Sequence, residues 1–297
     1  MLFNESTLRK LNQLTLVSRR VRAGVLKGER RSTRRGASVE FADYRNYTPG
    51  DDLRRLDWNV YARLDRPFLK LMEEEEDLAV YLLIDISTSM DWGEGSTHKL
   101  TYALQLAAAI AAVSLGSGDQ CSVILLQNGK VSGRLGPLRG AHQLSRLLVF
   151  LENESTAFQP GGTTELDRVL REYSLAIGRP GIAFLLSDLF SPGGFQGGMN
   201  ALLGRGFELI LLHLLSPIEL DPPLAGDLRL VDVETGKGEE LTIDGGMREL
   251  YHRRMDQWQA ELQQDCRKRG ADYILVNTAT PWDKLILYNM RQAGIVK

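Results

Sequence analysis

An α/β fold with a doubly wound, mostly parallel sheet is what this sequence predicts, and three observations carry the prediction. Five apolar runs, at 78–84, 121–127, 182–187, 207–214 and 271–276, are six to eight residues long and lack polar alternation. Runs of that kind suit strands buried on both faces, as in a parallel sheet whose crossover helices cover both sides. Helical patterns fall between the runs, at 99–115, 141–152, 166–176 and 247–269. Strand alternating with helix implies parallel crossovers. Finally, polar strings follow two of the runs directly, at the carboxyl edge where sheets of this class gather ligands.

Taken in chain order, residues 5–27 carry Leu8, Leu11, Leu14, Val17 and Val21 at spacings of three and four, the pattern of an amphipathic helix with a basic outer face. Arg, Ser, Thr and Gly dominate 28–36, which reads as an exposed loop. A dense polar stretch with Tyr44, Tyr47, Trp58 and Tyr61 follows at 41–63. The run LAVYLLI at 78–84 is a central strand, and the Ala- and Leu-rich segment 99–115 is a buried helix. Asn128-Gly129 marks a tight hairpin from 121–127 into a short strand at 130–134. Residues 228–243 alternate apolar and polar around Thr235-Gly236-Lys237-Gly238, a peripheral hairpin. The helix at 247–269 then returns the chain to the sheet. The expected organisation is an N-terminal accessory segment, 1–77, and an α/β domain, 78–297, with a peripheral insertion at about 217–246.

A length of 297 residues with 43% hydrophobic composition can bury a large core, which argues against reading the chain as disordered. The formal charge of −2 gives no global attraction to nucleic acid or anionic membranes. Charge is uneven: residues 9–35 hold ten Lys or Arg against the single acid Glu29, and an acidic run fills 73–77. The two cysteines, Cys121 and Cys266, are far apart and outside any C-x-x-C spacing, which argues for a reduced, cytoplasmic protein. No signal-peptide core opens the sequence, and no uncharged apolar stretch reaches the roughly eighteen residues of a membrane span.

The informative string is Asp85-Ile86-Ser87-Thr88-Ser89. In extended backbone alternate residues point the same way, so Asp85, Ser87 and Ser89 face one point while Ile86 faces away. A carboxylate and two hydroxyls are hard oxygen donors. They suit Mg²⁺, with Mn²⁺ or Ca²⁺ as alternatives, and leave positions for water. Gly161-Gly162-Thr163-Thr164 precedes the helix at 166, where the glycines permit a tight loop and a threonine hydroxyl can enter the cluster. Ser187-Asp188 ends another strand and adds a second carboxylate at the same sheet edge. The plainer reading, that Asp85, Ser87 and Ser89 cap the following helix, leaves the other two strings unexplained.

Together these strings resemble the metal-ion-dependent adhesion site of von Willebrand factor A domains, a Rossmann-like class of fold. There an Asp-x-Ser-x-Ser string, a threonine after a glycine pair and a later aspartate share one Mg²⁺. The resemblance assigns the metal to Asp85, Ser87, Ser89, Thr164 and Asp188. Thr164 is preferred over Thr163 because it stands six residues before Leu170. It further implies binding: with few formal charges around it, the metal stays electrophilic enough to accept a carboxylate from a partner.

Upstream, Tyr47-Thr48-Pro49-Gly50-Asp51-Asp52-Leu53-Arg54-Arg55-Leu56-Asp57-Trp58, followed by Ala62-Arg63, is similar to the signature of domain-of-unknown-function family 58. Members place a Y-x-P-G-D-D-x-R-x-I-D-W string just before a von Willebrand A-like domain. The similarity runs from about Arg34 to the end of the sequence. It implies a chaperone-like partnership with AAA+ ATPases of the MoxR type in assembling or maturing other proteins. Many members carry transmembrane helices, and this sequence departs from them there. Asp51, Asp52, Arg54, Asp57 and Arg63 are expected to form either a structural charge network with Trp58 as an apolar anchor or a partner-binding surface.

Two rivals to a non-enzymatic adaptor are weighed against it. Asp85 could act as a phosphatase nucleophile, but that chemistry asks for a second carboxylate nearby as general acid, and position 87 is Ser. No G-x-S-x-G, H-E-x-x-H or Walker lysine string is present. Nucleic-acid or acidic-partner binding would rest on the basic segment 9–35 alone, with no recognition fold and no aromatics among its arginines. His213, in an apolar run, is expected to be a satisfied core residue.

Overall fold

A computed structural model describes residues 9–11, 13–18, 40–49, 51–52, 56–73, 78–157, 165–231 and 236–297. The loop at 28–36, most of the basic segment, Arg54, Thr163 and Thr164 lie outside the described residues. The chain divides into two compact units, residues 23–77 and residues 1–22 with 78–297.

In the smaller unit, β1 (Glu40–Asn46) pairs antiparallel with β2 (Phe68–Glu73), and α1 (Trp58–Leu64) lies between them in sequence. Asp57 is 5% exposed and caps α1, accepting from the amides of Asn59 at 2.9 Å and Val60 at 3.2 Å. The helix ends at Asp65, whose φ of 51° is the left-handed turn.

The larger unit holds six strands: β3 (Ala79–Asp85), β4 (Gln120–Gln127), β5 (Lys130–Arg139), β6 (Ile182–Ser187), β7 (Glu208–Leu215) and β10 (Asp272–Asn277). Their order is β10-β7-β6-β3-β4-β5, and every pairing is parallel except β4 with the edge strand β5. That edge pairing follows from Asn128 and Gly129, whose φ values of 52° and 66° give a two-residue hairpin turn. A separate two-stranded sheet joins β8 (Gly226–Val231) and β9 (Gly238–Ile243). The mixed α/β architecture with a mostly parallel central sheet is thus the one the apolar runs predict.

Helices cover both faces, and the alternation of β3 shows how. Val80, Leu82 and Ile84 join one core with α2 (Lys99–Gly116) and α3 (Leu144–Ala157). Ala79, Tyr81 and Leu83 join the other with α4 (Leu166–Ala176), α5 (Gln196–Gly204) and α7 (Gly245–Arg269). α2 has the length and composition of a membrane-crossing helix, yet 83% of that window is buried inside the fold. α5 carries no helical signature in sequence because its glycines serve contact. A Cβ at Gly198 would lie 2.5 Å from the Leu170 Cβ, so only glycine lets α5 approach α4, where the Gly198 amide donates to Asp167 Oδ1 at 2.7 Å.

The amphipathic helix expected over 5–27 does not extend through its described part. Residues 9–11 are helical, but 14–18 run extended, with Leu16 bridged antiparallel to Val296. Val17 donates to the Ile295 carbonyl at 2.9 Å and Lys297 to the Thr15 carbonyl at 3.0 Å. Leu14, Leu16 and Val17 are buried there, so tertiary pairing overrides the local helical spacing. Cys121 and Cys266 are free and buried, and burial pushes both thiols up to about 12.

Candidate functional site

The site follows from topology. From β3 the chain moves to β4 and β5 on one side, then returns to β6, β7 and β10 on the other, so the boundary between β3 and β6 is the switch point. Crevices in doubly wound sheets open outside the carboxyl ends of strands at such points. Ile84 is in register with Leu186, which sets Asp85 beside Ser187. Ser187 Oγ donates to Asp85 Oδ2 at 2.6 Å.

Asp85, Ser87 and Asp188 are 1%, 1% and 0% exposed, and Ser89 is buried with them. Asp85 Oδ1 accepts from the Ser87 amide at 3.0 Å, and the Ser87 and Ser89 hydroxyl oxygens lie 3.1 Å apart. The two hydroxyls lie together across the start of a 3₁₀ turn, Thr88–Met90, and not through the extended alternation expected of 85, 87 and 89. Asp188 Oδ1 accepts from the Phe190 amide at 3.1 Å, while Leu189 donates to Ser187 Oγ at 2.9 Å. This turn holds Leu189 at a φ of 59°, a strained conformation for a non-glycine residue.

The second ring of contacts is dominated by a lysine that the sequence reading did not single out. Lys99, at the start of α2, is 0% exposed; its Nζ donates to Asp188 Oδ2 at 2.7 Å and to Glu219 Oε1 at 2.5 Å. Glu219 belongs to α6 (Pro217–Leu220), and its Oε2 accepts from the Ser216 amide at 2.7 Å while Ser216 Oγ accepts from the Glu219 amide. That reciprocal pair is a capping box, and the string Ser216-Pro217-Ile218-Glu219 is the signal that could have found it. Lys99 Nζ also sits 5.3 Å from the Phe190 ring centroid, and Phe190 stacks on Trp258.

Asp188 and Glu219 share the Lys99 ammonium, and Asp85 stands within electrostatic reach of Asp188, so the three carboxylates exceed the one ammonium by two negative charges when all are ionised. Burial first, and then the charge of Asp188, push the Asp85 carboxyl up to about 7, against hydrogen bonds from Ser187 and Ser87 that pull it down.

His213 is fully buried on β7, and both its nitrogens are bonded. The Asp188 carbonyl can only accept, so Nε2 at 3.0 Å carries the proton and Nδ1 accepts from the Tyr273 hydroxyl at 2.8 Å. Burial pushes this histidine down to about 4. Because the unfolded chain takes up a proton near pH 6.5 and the folded one resists, stability falls as pH drops from about 6.5 to 4. His213→Gln is expected to remove roughly 3 kcal/mol of that acid-side loss, read as the difference between pH 7 and pH 4 in denaturant titrations. An unchanged pH difference would place the proton uptake elsewhere.

Among the upstream residues, Asp51 and Asp57 bond to different partners. Asp51 pairs with Arg45 at 2.8 Å and accepts from the amide and hydroxyl of Thr48, which hold its carboxyl down at about 2. Asp57 accepts from Tyr44 Oη at 2.9 Å as well as capping α1. Asp52 is exposed, and Arg63 is exposed with no ion pair among the described residues. Trp58 is 62% exposed and edge-on to Tyr61 at 6.2 Å.

Comparison with known proteins adds relatives. The uncharacterized protein Rv1480 of Mycobacterium tuberculosis is 28% identical over 275 residues, 92% of this chain and 85% of that protein. The uncharacterized protein Mb1516 of Mycobacterium bovis matches with the same figures, 28% over 275 residues. Among solved structures, the conserved hypothetical protein BatB of Bacteroides thetaiotaomicron aligns at a TM-score of 0.44 and 16% identity, covering 73% of this chain and 98% of that one. The family model described as "Protein of unknown function DUF58" matches residues 43–261, most of the sequence, and the chain belongs to that family.

Proposed function

We propose that this chain is a non-enzymatic, metal-dependent protein-binding adaptor of the cytoplasm. In this reading a von Willebrand factor A-like domain holds Mg²⁺ through Asp85, Ser87, Ser89, Asp188 and Thr164. The metal takes a carboxylate from a MoxR-type AAA+ ATPase or from the client whose assembly or maturation that ATPase drives. The observation that carries the reading is the buried, all-oxygen cluster at the switch point with its surplus of negative charge.

The donor set fits a hard divalent cation. Carboxylate and hydroxyl oxygens converge with no thiol or imidazole among them, which suits Mg²⁺ or Mn²⁺ over zinc. A divalent cation would also balance the two negative charges that Lys99 leaves uncompensated. When bound, the metal supplies an electrophilic position for a partner's carboxylate. The protein's own residues do the rest: Ser187 and the Ser87 amide orient Asp85, and Lys99 and the Phe190 amide orient Asp188. Two free, buried cysteines fit a reducing compartment.

The test is a pull-down from native lysate beside Mg²⁺ titration calorimetry on the wild type and Asp85→Ala, both confirmed folded. Recovery of an ATPase or client by the wild type, lost on Asp85→Ala and on chelation, together with Mg²⁺ heat only in the wild type, is the expected result. Partners that survive both treatments would make the cluster structural.

A further inference from the structure

We infer that Lys99 is the counter-ion that holds the switch-point site while it lacks a metal, and that Glu219 takes over its ammonium when a divalent cation binds Asp188. The inference rests on the metal reading above and adds Glu219 to it as a positioning residue. Lys99 is the first residue of α2, and its amide donates to the Trp92 carbonyl at 2.8 Å, which fixes the root of the side chain. Its Nζ reaches two carboxylates at once, Asp188 Oδ2 at 2.7 Å and Glu219 Oε1 at 2.5 Å. The side chain is 0% exposed. An ammonium buried to that degree needs a carboxylate of the protein, since water does not replace one there.

Both oxygens of Asp188 are already engaged. Oδ2 accepts from Lys99, and Oδ1 accepts from the Phe190 amide at 3.1 Å. A divalent ion on either oxygen stands no farther from Nζ than the span of one carboxyl group, where positive charges in a buried site repel strongly. Metal and ammonium therefore compete for Asp188. The ammonium can yield only if a second anion keeps hold of it, because a buried charge stripped of its partner is costly.

Glu219 meets that requirement. Its Oε2 accepts from the Ser216 amide at 2.7 Å and its own amide donates to Ser216 Oγ, so the capping box holds the carboxylate in place whichever way the ammonium leans. Tyr251 Oη fastens the same residue by donating to its carbonyl. The shift is small, because Nζ already touches Oε1: the Asp188 contact lengthens while the Glu219 contact stays. The Phe190 ring, with its centroid 5.3 Å from Nζ, favours a cation in either position. A divalent cation thus enters by displacing an internal one, and Glu219 sets how readily that exchange occurs.

Mg²⁺ binding to the full chain is measured by titration calorimetry for the wild type, Glu219→Gln, Glu219→Asp, Lys99→Met and the double variant Lys99→Met with Glu219→Gln, each checked by circular dichroism. Glu219→Asp keeps the charge and withdraws the carboxylate by the length of one methylene. Both Glu219 variants are expected to raise the Kd for Mg²⁺ at least about tenfold, because an ammonium without its second acceptor stays on Asp188. Lys99→Met is expected to lower the Kd about tenfold, and in that background Glu219→Gln changes it less than about threefold. Wild-type affinity in Glu219→Asp beside weakened binding in Glu219→Gln overturns the inference, since Glu219 would then act through its field alone. Equal weakening by Glu219→Gln with and without Lys99 overturns it as well. Glu219→Asp carries the test by itself if Lys99→Met does not fold. A wild type and a Lys99→Met that both give no heat with Mg²⁺ or Mn²⁺ sink the metal reading itself, whereas a metal-binding wild type whose Kd no variant moves sinks only the exchange.

Discussion

Lys99→Met is expected to lower the stability of the metal-free protein by about 3–5 kcal/mol, the cost of removing one partner from a buried ion pair. The Lys99 side chain is 0% exposed, as is Asp188, and Glu219 is 16% exposed. Methionine fills the volume and keeps the helix propensity of α2, so the loss reports charge. Without the ammonium, Asp188 and Glu219 lose the cation they share, at a place where the Asp188 carboxylate is fully buried. For a unit of this size the fall corresponds to a drop in Tm on the order of 10 °C. Two further measurements identify the cause. Adding Glu219→Gln to Lys99→Met is expected to recover part of the loss, since coupled neighbours differ from additivity by about 0.5–3 kcal/mol. Added Mg²⁺ is expected to stabilise Lys99→Met more than the wild type, because a divalent cation replaces the missing charge. A neutral Lys99→Met would mean that the carboxylates take up protons instead and that the lysine only fills space.

The architecture was legible because burial on both faces leaves a mark that composition cannot hide. LAVYLLI and IAFLLS lie within a residue of their observed strands, and 166–176 coincides with α4. The first site string was legible by its residue types, although Ser87 and Ser89 meet across the 3₁₀ turn Thr88–Met90 and not by alternation along extended backbone. Lys99 was hidden because nothing local to Lys99-Leu100-Thr101 says that an ammonium is buried; its partners lie 89 and 120 residues away. Glu219 was half visible, through its capping box, but the link from that box to the sheet edge is a tertiary fact. Residues 14–18 show the opposite error. Their three- and four-residue spacing is helical, yet pairing with the segment ending at Lys297 decides their conformation.

Asp85→Asn is expected to act in opposite directions with and without metal. The Asp85 carboxyl stands at about 7 in the folded chain against an ordinary 3.8. For an acid raised in this way the folded state holds its proton more tightly, so stability falls as pH rises from about 4 and the full cost is present above about 7. At pH 8 in EDTA that cost is roughly 4 kcal/mol, and Asn removes it. An amide keeps the geometry too: its oxygen accepts from the Ser87 amide and its NH₂ donates to Ser187 Oγ. Asp85→Asn should therefore unfold at higher denaturant than the wild type in EDTA at pH 8, and at the same denaturant near pH 4, where both side chains are neutral. With saturating Mg²⁺ the order should reverse, because the cation stabilises the ionised carboxylate and gains little from an amide. The wild type's gain from Mg²⁺ should also grow from pH 5 to pH 8 as the proton it displaces becomes easier to lose. A lower stability of Asp85→Asn in EDTA, with no Mg²⁺ effect on the wild type, would show that the hydrogen bonds from Ser87 and Ser187 already hold the carboxylate in its charged form. The cluster would then brace the ends of β3 and β6 against each other, and the adaptor reading would lose the site on which it rests.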